Sequence, residues 1–413
     1  MNLPENPSPS RPAQAPALEV ALAFLKLGLS SFGGPVAHLG YFRSEFVERR
    51  RWLSDADYAD LVALCQFLPG PASSQVGMAL GMMRAGWLGS LLAWLAFTLP
   101  SAMLLTLLAL GLGAGGQSAG LLPGLFHGLK IVAVAVVAQA VWGMAKSLCP
   151  DRARAGMATL AAAALLVFSG AWTQLLVIAA GALLGRYWLP ADAMPGNAGV
   201  AGQALRAPIG RRCGAWLLSL FFALLLLLPL AAHIWPSPAL QAVQAFYQAG
   251  ALVFGGGHVV LPLLQSAVQV PGWVSADQFL TGYAAAQAVP GPLFTLAAYL
   301  GALLPLGHGL NGVGGALLAL LAIFAPAALL VLGALPFWEQ LRGHTGMRRT
   351  LAGINASVVG VLGAALYDPV WTSAIRGHMD LALALICYAM LSWLRLPPLA
   401  VVLFGAIAGA ALG

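Results

Sequence analysis

The chain has 413 residues and a formal net charge of +7; 60% of its residues are hydrophobic, only 8% are charged, and mean hydropathy is +0.85. That balance excludes a water-soluble globule and defines a polytopic membrane protein. The basic residues fall in loops between apolar segments, as the positive-inside bias expects, so no nucleic-acid partner is expected. Cys65, Cys149, Cys213 and Cys387 are far apart, with neither metal-ligand spacing nor a disulfide framework.

Residues 1–16 are a polar, proline-rich tail without the pattern of a signal peptide. Residues 17–186 form a first transmembrane repeat. Its apolar opening, 18–30, is interrupted at Ser31-Phe32-Gly33-Gly34-Pro35, and Gln66 precedes a second interruption at Pro69-Gly70-Pro71. Apolar segments at 86–112, 122–144, 157–169 and 174–184 follow, each near membrane length although the last two are short. Residues 187–212, rich in Pro, Gly and Arg, read as a cytoplasmic linker, and 213–235 hold one connecting helix. The pattern restarts in 236–413: Val253-Phe254-Gly255-Gly256-Gly257, then Gln287 before Pro290-Gly291-Pro292, then apolar segments at 312–335, 351–367, 381–393 and 399–412.

The glycine-rich runs are offset by 222 residues and the Pro-Gly-Pro runs by 221, and Trp52-Leu53-Ser54 matches Trp273-Val274-Ser275 at 221. A register held over that span is an internal duplication. One extra helix between two even-numbered halves inserts the second upside down, as an inverted repeat. The charges agree: Arg43, Arg49, Arg50 and Arg51 follow the first glycine run, and the counterpart stretch 265–275 has no basic residue. If the broken segments are re-entrant hairpins, 17 of the 20 basic residues fall on the cytoplasmic side, Arg376 lies outside, and Lys26 and Lys130 lie within the membrane. The fold expected is therefore an all-α membrane protein of two inverted repeats, with broken or re-entrant helices meeting near the membrane midplane.

A 13-residue arm rises about 20 Å, enough to bring its tip past the middle of a roughly 30 Å hydrocarbon core. There the returning half-helices point free N–H groups and positive dipole ends at the membrane centre, which suits an anion. Pro35 and Pro71 fit the start of a returning helix. Ser73, Ser74 and Thr295 add hydroxyl donors, Gln66 and Gln287 neutral amides, and His38 and His258 imidazoles beside the glycine turns. Helix kinks, packing histidines and interhelical hydrogen bonds are the plainer readings of the same residues. Lys26 and Lys130 sit deep in apolar sequence, where a cation is costly and functional by default or else snorkels to an interface. The 13 acidic residues lie in tails, loops or segment ends, so a buried carboxylate relay is not expected. No cofactor, metal site or catalytic residue is expected.

The SFGGP run, the stretch from Phe42 to Ser54 with its spaced Phe-x-x-Glu-Phe-Val and Trp-Leu-Ser, the QxxPGP run and their second-half echoes resemble the chromate ion transporter family in its long two-domain form. The resemblance spans nearly the whole chain. It implies export of chromate, a tetrahedral dianion, across the bacterial inner membrane, with a homodimer left open. The site residues expected from the hairpin tips are those of both breaks: Ser31 to Pro35 and Pro69 to Pro71 in the first half, Phe254 to Gly257 and Pro290 to Pro292 in the second. The residues themselves argue only for an anion, so sulfate or another oxyanion is an alternative substrate. An intramembrane enzyme acting on a lipid phosphate is an alternative of another class.

Overall fold

Helices too short to cross a bilayer alternate with helices long enough to do so. The computed structural model describes residues 16–31, 34–114, 122–168, 171–190, 209–253, 260–269, 271–307, 309–338 and 345–412. The first half opens with α1 (Pro16–Ser30), α2 (Gly34–Phe42, continued as a π-helix over Arg43–Arg49) and α3 (Asp55–Phe67), capped by the Ser54 hydroxyl, which accepts from the Asp57 amide. Next comes α4 (Ala72–Ala114), whose helical geometry fails at Ala85 and Gly86. It is therefore a short arm, 72–84, followed by a full span. Then follow α5 (Leu122–Leu148), α6 (Arg152–Val167), capped by Asp151, and α7 (Ala171–Trp188).

After α8 (Arg211–Ile234) the order repeats: α9 (Pro238–Ala251), α10 (Val260–Gln269), α11 (Ala276–Ala288) and α12 (Leu296–Leu303), entered through a 3-10 turn, Leu293–Thr295. The second half closes with α13 (Val313–Ala334), α14 (Thr345–Ala365), α15 (His378–Ser392) and α16 (Pro398–Leu412). The kink is repeated too: Gly86 has φ 61°, and Gly312, 226 residues later, has φ 67°. Pro100 and Pro326 sit mid-span in α4 and α13 at that same offset.

Apolar residues cover the outside as well as the core. Trp216, Leu226 and Leu227 of α8 are all more than half exposed, a surface that only lipid can solvate. Together with five helices of spanning length and composition this makes the chain an all-α polytopic membrane protein. Between helices there is little hydrophobic driving force in lipid, so close backbone approach carries the packing. Gly128 of α5 meets Gly405 and Gly409 of α16, Gly353 of α14 meets Gly181 and Gly185 of α7, and Gly360 of α14 meets Ala158 and Ala161 of α6. These contacts are reciprocal: α5 of the first half is packed by α15 and α16 of the second, and α14 of the second by α6 and α7 of the first. Neither half buries its last helices alone.

Several boundaries differ from the hydropathy reading. Helix α6 begins five residues earlier than the apolar run, because Asp151 caps a polar first turn. Helices α7 and α8 run to Trp188 and from Arg211, which narrows the linker to 189–210.

Candidate functional site

The breaks of the two halves are stitched to each other. The Gly70 N–H donates to the Val253 carbonyl at 2.7 Å, and the Gly291 N–H donates to the Ser31 carbonyl at 2.9 Å. Each Pro-Gly-Pro turn thus grips the residue opening the glycine-rich run of the opposite half. Gly70 (φ 119°) and Gly291 (φ 107°) turn the chain in a region that disfavours side chains. A methyl group there would also meet neighbours, Gln75 Nε2 at 3.0 Å and Ala327 Cβ at 3.2 Å for Gly70, and Ser101 Oγ at 2.8 Å for Gly291.

Polar groups without partners gather around this crossing. They are the hydroxyls of Ser31, Ser74 and Thr98, Nε2 of His38 and Oε1 of Gln75, each on a residue no more than 2% exposed. Contacts tie them together: His38 Nδ1 lies 3.4 Å from Ser73 Oγ, the His38 ring meets Phe97 edge-on at 5.3 Å, and Ser101 Oγ donates to the Thr98 carbonyl at 3.0 Å. A buried hydroxyl left unsatisfied costs about 1–3 kcal/mol, so such a group of them points to a polar ligand. Helix α4 adds backbone donors, since its first intrahelical bond is from the Gln75 N–H to the Pro71 carbonyl, leaving the N–H groups of Ala72, Ser73 and Ser74 ahead of it. Hydroxyls, an imidazole and helix-start amides are neutral donors, the chemistry that suits an oxyanion.

The expected site residues divide. Ser31, His38, Ser73, Ser74, Gly70, Pro71, Gly291 and Pro292 are buried at or beside the crossing, with Pro69 and Pro290 half-buried at its rim. Gly34 and Pro35 lie in the first turn of α2. Phe32, Gly33, Phe254, Gly255, Gly256, Gly257 and His258 lie outside the described residues. Thr295 is buried but donates its hydroxyl to the Pro292 carbonyl at 2.7 Å. Gln66 is exposed on α3, and half-buried Gln287 hydrogen-bonds to Tyr283. The amides of Gly70 and Gly291 are taken by the crossing. Among the described residues at the crossing, the unpartnered hydroxyls and imidazole belong to the first half.

Both lysines are answered by carboxylates away from the breaks. Lys26, with 56% of its side chain exposed, pairs with Glu45 at 3.2 Å. Lys130 is buried and bonds to Asp277; Asp277 lies in the first turn of α11, eleven residues or about 17 Å of helix from the break at its far end. The Asp277 side chain is 68% exposed, so its replacement by Asn should destabilise the protein by about 1 kcal/mol, and Lys130→Met in the same chain should restore much of the loss, as thermal melts in detergent would read.

Sequence reasoning missed a charge network at the loop end of α2. Buried Glu45 accepts from Arg50 at 2.7 Å, Arg49 at 3.0 Å and Lys26. Burial works against its charge, but hydrogen bonds from Arg50, Lys26 and Arg49 outweigh it and hold the carboxyl below its usual range. Glu19 accepts from Arg50, Arg84 and the Trp52 indole at 3.2, 2.9 and 3.2 Å, and the Trp52 ring stacks on Phe46 beneath both guanidinium groups. Thr98, Gln75 and Ser101 were missed as well, although hydroxyls flanking a mid-span proline were a readable signal.

Five helices of spanning length and composition, shorter apolar helices between them and breaks that hydrogen-bond across the two halves define a polytopic membrane protein. The chromate transporter family model matches residues 18–186 and 240–410, and the chain belongs to that family, which is one of transporters and not of enzymes. It is 29% identical over 372 residues to the chromate transport protein of Cupriavidus metallidurans (89% of this chain, 85% of the relative). Over 381 residues it is 28% identical to the chromate transport protein of Pseudomonas aeruginosa (86% and 81%), and over 353 residues 29% identical to a probable chromate transport protein of Synechococcus elongatus (83% and 82%). No solved structure matches the chain.

Proposed function

We infer that the protein is a secondary transporter that exports chromate from the cytoplasm across the bacterial inner membrane by alternating access. The oxyanion is held by the hydroxyls of Ser31, Ser73, Ser74 and Thr98, by His38 and by the first N–H groups of α4. The observation that carries this reading is the group of buried, unpartnered donors packed around the Gly70–Val253 and Gly291–Ser31 hydrogen bonds. Family membership supports the substrate class. Radiolabelled chromate and sulfate flux in proteoliposomes, under imposed pH and anion gradients, tests both substrate and coupling; a protein that moves neither anion would overturn the reading.

Two inverted repeats with re-entrant hairpins complete the proposal. In support, α3 and α11 have 13 residues each, about 20 Å against a roughly 30 Å core. The start of α11 is fixed to Lys130, about 24 Å along α5 from Lys146, whereas the start of α3 is fixed to Arg43 through Asp55 at 2.8 Å. Ser44 and Ser266, equivalent at an offset of 222, should accordingly be labelled from opposite faces when each is replaced by cysteine in the Cys213→Ser background. Labelling of both from one face would contradict the inversion.

A further inference from the structure

The pseudo-equivalent places in the two halves are in opposite states. In the second half a cavity of about 550 Å³ opens between the end of α8, α9, α10 and Trp273. Gln241, Gln244 and Gln248 form a stripe down one face of α9, with Ser266 opposite on α10 and His233 at the mouth. Leu252 is part of its wall, and the next residue, Val253, accepts the Gly70 N–H. The wall of the cavity thus comes within one residue of the crossing.

At the offset of 222 residues, Gln248 stands where the first half has Lys26, and Ala267, also in the cavity wall, stands where it has Glu45. In the first half that place is bridged by the Lys26–Glu45 ion pair and braced by Arg49 and Arg50. One pair of equivalent positions carries an ion pair, and the other lines a cavity with neutral groups.

We propose that the glutamine-lined cavity is the vestibule through which the oxyanion leaves the crossing toward the outer face, and that the Lys26–Glu45 pair is the closed gate at the opposite, cytoplasmic end. The inference rests on the transport reading above. Its chemistry fits the task. Amide N–H groups and a serine hydroxyl can hydrogen-bond a small tetrahedral dianion, while the absence of lysine and arginine among the lining residues leaves no fixed cation to trap it. With a water occupying about 30 Å³ of liquid, the cavity has room for the anion and a partial hydration shell. The gate side is the reverse: Lys26, Arg49, Arg50 and Arg84 around Glu19 and Glu45 give an excess of two positive charges, which gathers dianions before the gate opens.

The test uses Gln248→Cys and, as a second variant, Gln244→Cys, each in the full-length Cys213→Ser protein in vesicles of known orientation. Chromate and sulfate flux is measured before and after a membrane-impermeant, anionic methanethiosulfonate is applied from the outer face. The expected result is a loss of flux of at least fivefold in both variants, slowed by saturating chromate, and no loss in the Cys213→Ser parent. Modification of both cysteines with flux unchanged would overturn the vestibule while leaving the transport reading intact. Failure of both cysteines to react from the outer face would also overturn it. If the unmodified parent carried no oxyanion at all, the transport reading would fall and the vestibule with it.

Discussion

Replacing Ser31 or Ser74 by alanine should weaken oxyanion binding by roughly ten- to a hundredfold, the worth of a hydrogen bond to a charged partner, and leave the fold at least as stable as before. The second half of that statement separates a ligand-binding hydroxyl from a structural one. Both hydroxyls are buried and lack a protein partner, so their removal breaks nothing within the protein and relieves the burden of an unanswered polar group. Ordinary core serines behave the other way, losing stability along with their hydrogen bond. Chromate titration and thermal melts on the same detergent-purified samples read both quantities. Unchanged affinity in both variants would remove these hydroxyls from the site, and a clear drop in melting temperature would reassign them to packing.

Alanine at Gly70 or Gly291 should produce the opposite pattern, with stability and transport lost together. Both residues hold φ above 100°, a strain of about 1–3 kcal/mol for a side chain, and the new methyl would press on Gln75 and Ala327 or on Ser101. A loss of about 2–4 kcal/mol is expected at each. Gly272 provides the control. It too has positive φ, 74°, yet a methyl there meets nothing within 4 Å, so Gly272→Ala should carry the backbone strain alone and keep transport. Equal effects at Gly70 and Gly272 in melts and flux would mean that the crossing is not specifically packed.

Much of the architecture was legible in the sequence because it is written in local signals. Glycine and proline runs mark the breaks, apolar length marks the spans, and a constant offset pairs the halves. The Ser54 and Ser275 caps and the kink at Gly86, repeated at Gly312, came from the structure. The long-range partners of the charged groups were not legible. Lys26 and Lys130 looked like intramembrane cations because their carboxylates lie 19 and 147 residues away, and no periodicity announces such a pairing. Glu45 read as a loop acid although it is buried, because the partners that answer its charge, Lys26, Arg49 and Arg50, are set by the fold. The partners of the turn amides were not legible either: each half takes up the other's turn amide, and among the described residues the hydroxyls of Ser31, Ser74 and Thr98 stay without partners at the crossing.

Chromate itself reports where it binds, since chromium scatters anomalously. In crystals grown with the anion, the chromium peak should fall at the crossing, within hydrogen-bonding reach of Ser31 Oγ and Ser74 Oγ and close to the first turn of α4. A peak confined to the basic cluster around Arg50 and Arg84, with none at the crossed breaks, would contradict the account.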